Sequence, residues 1–223
     1  MHCLLKLAAL ALAALPAVSA FSGQGTQPHC NISNSNLATD LPSSLQSLIP
    51  PSNVSLVQVT MGLGTQNYTC TNGKYVNVGA LAQVFDISCL QNLPAISAAF
   101  SQAVNELELV DGASLLNFGI TLAKMGGFKL ADHYFDTSAG PLSPVFNFQV
   151  SNGGFAIGKK LMDLPDPTNP TVNVDWLQLE AIAGDAAKFL VREQTAGGQP
   201  PSSCAVENET LQVPYAAKYW FFL

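Results

Sequence analysis

One histidine, His133, lies between Asp132 and Asp136 and beside Tyr134 and Phe135. An imidazole titrates near neutrality, and a carboxylate can orient it, so this trio reads as a candidate general base. A lone histidine among aromatics reads equally as a packed, hydrogen-bonded residue. Further on, Trp176, Gln178 and Glu180 occupy alternate positions, and in a strand alternate residues share a face. An indole beside an amide and a carboxylate suits stacking on a sugar, with Glu180 or Asp175 in acid–base roles. The same pattern suits a sheet face covered by a helix. Arg192 precedes Glu193 and the run Thr195-Ala196-Gly197-Gly198. An arginine there pairs with a carboxylate or caps turn carbonyls. The double glycine reads as a tight turn needing positive φ and not as a phosphate cradle, because no helix follows.

Other chemistries lack their residues. Thr137-Ser138-Ala139-Gly140 misses the first glycine of a nucleophile elbow and runs into Pro141. The cysteines show no close metal-ligand spacing, so no metal site is expected. A glycosidase-type carboxylate pair depends on a separation of roughly 5–10 Å, which only the fold supplies.

The elements that must hold these side chains are mostly strands. Leu56, Val57 and Val59, then Tyr68, read as strands around the glycines of 61–65, and 75–87 reads as another. Residues 133–135, 145–150, 155–161, 176–182, 188–194 and 211–222 are short β-branched or aromatic runs separated by Gly, Pro, Asn and Asp. That spacing suits a sandwich or barrel and disfavours a parallel doubly wound sheet. In the last run Tyr215, Ala217, Tyr219 and Phe221 share one face, and Ala216, Lys218, Trp220 and Phe222 the other. With both faces apolar, the strand is expected to be covered on both sides, and Trp220 is a weaker candidate for an exposed binding platform. Between the strand runs, Pro94 and then 95–109 and 113–125 repeat at helical period until Gly126-Gly127, a two-helix insert. Residues 21–52 are rich in Ser, Asn, Gln and Pro, with room for one short helix between Leu41 and the prolines at 50 and 51.

The N-terminus speaks to compartment. Lys6 precedes an apolar run over 7–18, and Val18-Ser19-Ala20 fits signal peptidase, so removal after Ala20 is expected. No later stretch reaches the roughly 20 apolar residues of a membrane anchor. Cys3 would leave with the leader, and Cys30, Cys70, Cys89 and Cys204 would form two disulfides with three connectivities open. The expected pairs are Cys70–Cys89, closing a local loop, and Cys30–Cys204, tying the arm to the last strands. Glycosylation sequons stand at Asn31, Asn53, Asn67 and Asn208. The chain carries a net charge of −6 with no basic cluster, which gives no footprint for nucleic acid.

Several segments occur together in a fixed order: Gly64-Thr-Gln-Asn-Tyr68-Thr-Cys70, His133-Tyr134-Phe135, Asp175-Trp176-Leu177, the run from Val191 through Gly197-Gly198 to Pro201, and the run from Val213 to Phe221. They resemble a family of secreted fungal and bacterial proteins classed as a domain of unknown function, over most of 55–223. The resemblance implies an extracellular, mostly β fold and brings no active site. The insert over 94–127 is typical of the fungal branch alone. Some members of that family carry a malate dehydrogenase name. A dinucleotide site needs GxGxxG between a strand and a helix. Gly62-Leu63-Gly64-Thr65-Gln66-Asn67 lacks the third glycine and leads into another strand pattern, so the name is rejected and no cofactor is expected.

The expected organisation is a signal peptide over 1–20, an extended arm over 21–54, and one β-rich domain over 55–223 with its helical insert at 94–127. The expected fold is an antiparallel β-sandwich or flattened barrel. The expected role is non-catalytic binding outside the cell, with a wall polysaccharide or another extracellular protein as partner. Two alternatives stand beside it: a secreted acid–base enzyme acting on a sugar or small molecule, and a secreted effector or antigen.

Overall fold

The structure is a computed structural model that describes residue 32 and residues 35–89, 129–149 and 153–223. The leader at 1–20, Cys30, Asn31 and the insert expected at 94–127 lie outside the described residues.

Eight strands form one closed antiparallel barrel: β1 (Leu56–Thr71), β2 (Lys74–Asp86), β3 (Lys129–Asp136), β4 (Ser143–Asn147), β5 (Phe155–Leu164), β6 (Trp176–Gly184), β7 (Phe189–Gly197) and β8 (Thr210–Phe222). Each strand pairs with the next, and β8 closes on β1 over nearly its whole length. Closure removes the open edges that a sandwich would leave. The first hairpin turns on Asn72-Gly73, both at positive φ (53° and 78°), the two-residue turn that matches strand twist. β1 runs uninterrupted through Gly62 and Gly64. A Cβ at Gly62 would stand 2.7 Å from the Tyr219 ring, and one at Gly64 would stand 2.0 Å from the Leu81 carbonyl oxygen. These glycines make room for a close neighbour inside a strand, and no helix follows them.

The period-2 alternation sorts side chains into lumen and outer wall. On β8 the lumen set is Tyr215, Ala217, Tyr219 and Phe221. At one end of the barrel Phe221 meets Phe146 and Phe148 edge-to-face, with ring centroids 5.3 and 5.2 Å apart. Val84, Leu130, Ala156 and Leu190 complete that plug. An eight-stranded barrel is just wide enough for side chains to fill it or to hold one small ligand. Here the apolar plug takes one end and leaves the other open.

The outer face of β8 is covered as well, by the N-terminal arm. From residue 35 on, the arm forms α1 (Leu37–Asp40) and, in the stretch expected to hold one short helix, a 3-10 helix (Ser43–Leu48). Leu37, Leu41, Leu45 and Leu48 repeat at helical spacing and bury against Val59, Met61, Trp176, Val191 and Trp220. Asn36 Oδ1 caps α1 by accepting from the Ala38 amide at 3.0 Å, and Gln46 Nε2 donates to the Ala38 and Leu41 carbonyls. Beneath the arm Lys218 is buried, ion-paired to Asp40 and, at 3.4 Å, to Glu193.

The disulfide expectation is overturned: Cys70 is bonded to Cys204, 134 residues away. Tyr75 at the start of β2 pairs with Met61's strand at Cys70, whereas Phe85 pairs with Met61 itself. Cys89, beyond the far end of β2, therefore lies a barrel length from Cys70. Cys204 is brought in by the 198–209 segment, whose Cys204 amide donates to the Gly73 carbonyl and whose Asn208 amide donates to the Cys70 carbonyl. Cys30–Cys204 falls with it. Cys89 is itself disulfide-bonded.

Candidate functional site

The open end of the barrel, where β1, β3, β5 and β7 finish, holds a pocket of about 610 Å³. Its floor is apolar, built from Pro144, Leu177 and Leu179, with Tyr68 and Phe135 as aromatic wall. Polar and charged side chains converge on it from four strands and two loops: Gln66, Asn77, Lys159, Lys160, Asp163, Asp175, Arg192 and Gln199. Such a mixture, a largely apolar cleft with few convergent polar groups, is what small-molecule sites present.

Arg192 enters because β7 register sets it opposite Tyr219, on the lumen side between outward-facing Val191 and Glu193. Its Nε and Nη2 donate to the Asp175 carbonyl oxygen at 3.0 and 2.7 Å, and its side chain hydrogen-bonds the Tyr219 hydroxyl. Among the described residues no carboxylate lies within ion-pair distance of it. Burial holds the Tyr68, Tyr215 and Tyr219 phenols above their ordinary range, so they stay neutral beside the guanidinium. Tyr68 Oη donates to the Gly198 carbonyl at 2.7 Å and locks the wall to the turn at Gly197 and Gly198, both at positive φ (65° and 91°). Gln66 Oε1 accepts from Asn77 Nδ2 at 3.1 Å, while its buried Nε2 is turned toward the Tyr215 hydroxyl without a close hydrogen bond among the described residues. The nearby Tyr215 hydroxyl is engaged with that of Tyr219 at 3.2 Å.

At the rim the Asp163 and Asp175 carboxyls hydrogen-bond one another. Burial first, and then this contact, hold Asp175 above the usual carboxylate range, against the pull of Arg192 and Lys160. Lys160 is ion-paired to Asp163. The loop before β6 is fixed by Asp166, which accepts from Thr168, Asn169, Thr195 Oγ1 and, at 2.8 Å, Trp176 Nε1. Burial alone would raise Asp166, but these hydrogen bonds outweigh it and hold the carboxyl below its ordinary range.

Of the candidates read from sequence, the pocket gathers Asp175 and Arg192. His133 is 3% exposed, stacked on Phe146 at 4.1 Å, with Nδ1–H donating to the Val145 carbonyl at 2.9 Å. Burial pushes its pKa down to about 4, and it does not line the pocket. Asp132 and Asp136 lie at odd spacing from it and so face the other way, Asp132 to Lys129 at 2.7 Å and Asp136 to Ser138. Glu180 does share a face with Trp176 and Gln178, but that face is the outer wall. Glu180 is exposed there, while Trp176 and Trp220 are 4% and 1% exposed under the arm, and Gln178 Nε2 donates to the Leu48 carbonyl at 3.2 Å. An exposed row containing either tryptophan is therefore not formed: the arm's leucines occupy it. Of the sequons, Asn53 and Asn208 are exposed, and Asn67 is half-buried with its Oδ1 accepting from Thr65.

Residues 50–223 match the model of the family described as Protein of unknown function (DUF3455). The chain belongs to this family. No curated protein and no solved structure matches it. The match to DUF3455 begins at Pro50, so it takes in all eight strands and every residue of the pocket, while α1 and the 3-10 helix precede it. The DUF3455 unit in this chain is thus the barrel with its open mouth. Gln66, Tyr68, Asn77 and Asp163 were not singled out in the sequence as site residues. The lumen-facing register of β1, read as Gly62, Gly64, Gln66 and Tyr68, carried the signal for two of them.

Proposed function

We propose that this is a secreted, glycosylated, non-catalytic binding protein that takes a small organic molecule into the mouth of its barrel. The observation that carries the reading is the 610 Å³ pocket, with an apolar floor and an arginine that forms no ion pair among the described residues. Secretion is supported by the leader pattern at 1–20, the exposed sequons at Asn53 and Asn208 and the Cys70–Cys204 disulfide. Burial of Trp176 and Trp220 favours a ligand enclosed by the pocket over a flat polysaccharide surface. Neither His133 nor Glu180 lines the pocket, which favours binding over catalysis.

The test is titration with N-phenyl-1-naphthylamine, a neutral dye whose emission rises in an apolar site. Wild-type protein enhances the dye, and Leu177→Trp, which fills the pocket, removes the enhancement with an unchanged thermal midpoint. Equal enhancement by the filled variant would overturn the reading.

One observation favours a second reading, an acid–base enzyme. The hydrogen-bonded Asp163–Asp175 pair keeps a carboxyl proton available inside the pocket at higher pH than an isolated aspartate would. Turnover of aryl glycosides or esters that Asp175→Asn abolishes, with dye binding intact, would establish it.

A further inference from the structure

The charges of the pocket say what kind of molecule it takes. The chain carries a net charge of −6 with nine Lys and Arg residues, yet Lys159, Lys160 and Arg192 all line this one cavity. The opposing groups are Asp163 and Asp175, two carboxyls against three cations. Asp163 is neutralised by Lys160. Tyr68, Tyr215, Tyr219 and His133 around Arg192 are neutral. The pocket is thus electropositive in an acidic protein.

Arg192 is the innermost of these cations. Two of its donors are fixed on the Asp175 carbonyl, which orients the guanidinium plane without neutralising its charge. A half-buried cation next to apolar walls is costly unless an anion meets it. A guanidinium held in one plane presents N–H groups as a fork matched to a planar carboxylate. Gln66, buried on the same wall, turns its Nε2–H toward the Tyr215 hydroxyl and makes no close hydrogen bond with it among the described residues, so it is a second donor beside the fork. Leu177, Leu179, Pro144 and Phe135 leave an apolar space beside that fork.

We infer that the pocket binds an organic carboxylate: an apolar or aromatic body on the Leu177–Leu179 floor with its carboxylate on Arg192 and in reach of Gln66. This rests on the pocket reading above and narrows it to a ligand class. The ligand body is bounded by the cavity at small-molecule size, which excludes a polymer chain threaded through it. The plug of Phe146, Phe148 and Phe221 closes the opposite end.

The experiment compares 2-naphthoate with its neutral isostere 2-naphthamide by calorimetry at pH 7. Wild-type protein binds the acid about tenfold or more tightly than the amide, the size of one charge-assisted bidentate contact. Arg192→Met, which keeps the side-chain stem, equalises the two and leaves the amide affinity within about twofold, while Arg192→Lys gives an intermediate ratio. Retained amide binding shows that the variants are folded. Should Arg192→Met fail to fold, the wild-type acid-to-amide ratio and the Arg192→Lys variant decide. Equal binding of acid and amide to wild type overturns the carboxylate inference and leaves the pocket reading standing. No binding of either compound overturns both.

Discussion

The indole N–H of Trp220 donates to Glu193 Oε1 at 2.7 Å, on the outer wall of the barrel and under the N-terminal arm. Lys218 Nζ stands 3.4 Å from the same oxygen and 4.6 Å from the centre of the Trp220 ring, and it also reaches Asp40 of α1. The arm is therefore held by its leucines and by a buried charge cluster. In that cluster Glu193 is the costly member, fully buried with Oε2 unpartnered among the described residues. Desolvation pushes its pKa up to about 7, against the pull of Lys218.

This sets a pH signature. A carboxyl raised in the folded state contributes stability that is complete below its ordinary value of 4.5 and lost as pH rises to about 7. His133 has the opposite sign. Lowered from 6.5 to about 4, its neutral burial stabilises fully above 6.5, and that contribution is lost as pH falls toward 4. Asp175, raised in the fold, adds to the Glu193 trend. The Glu193 and His133 trends oppose one another between pH 4.5 and 6.5, each on the order of 3 kcal/mol at most. Thermal melts of Glu193→Gln across that range rise more steeply with pH than wild type, and melts of His133→Phe fall. Parallel curves for all three proteins would refute the assignment.

The arm is a structural part of the domain. Leu48 is fully buried against the barrel, so Leu48→Ala lowers unfolding free energy by about 2–5 kcal/mol. Ile49→Ala, at a partly exposed neighbour, changes it by no more than about 0.5 kcal/mol. Urea unfolding of the two variants makes the comparison.

Removing the long-range disulfide as Cys70→Ser with Cys204→Ser costs about 2–5 kcal/mol, because the bond closes a loop of 134 residues in the unfolded chain. The double substitution avoids a free thiol. Urea midpoints under oxidising conditions check it, and a midpoint matching wild type would contradict it.

Gly64→Ala tests the close packing of β1 on β2. The added Cβ would meet the Leu81 carbonyl oxygen at 2.0 Å, so the strands must part and the barrel is destabilised by about 1–3 kcal/mol. Soluble yield and the urea midpoint read the effect.

Much of the fold was legible because strands announce themselves through period-2 alternation and turn residues. The six runs from 133 onward correspond to β3–β8. Closure into a barrel was not fixed by those patterns, since β8 pairing with β1 depends on contacts between the two ends of the chain. In the arm, the short helix expected before the prolines corresponds to the 3-10 helix, while α1 and the leucine stripe at 37, 41, 45 and 48 were obscured by the Ser, Asn and Pro content. The disulfide was misread because sequence proximity favoured Cys89, while a strand as long as β2 carries that residue to the far end. For the site, Arg192 and Asp175 were visible as residue types, but their meeting was not. It depends on β6 and β7 being neighbours and on the loop held by Asp166. The flanking aspartates of His133 misled for the reason that makes strands legible: odd spacing puts them on the opposite face.

The most direct test of the pocket is an amide NMR map of the protein titrated with N-phenyl-1-naphthylamine. The account predicts shifts concentrated at Tyr68, Phe135, Leu177 and Arg192, with the outer wall at Trp220 and the plug at Phe148 unmoved. Shifts concentrated on the outer wall, or none at saturating dye, would contradict it.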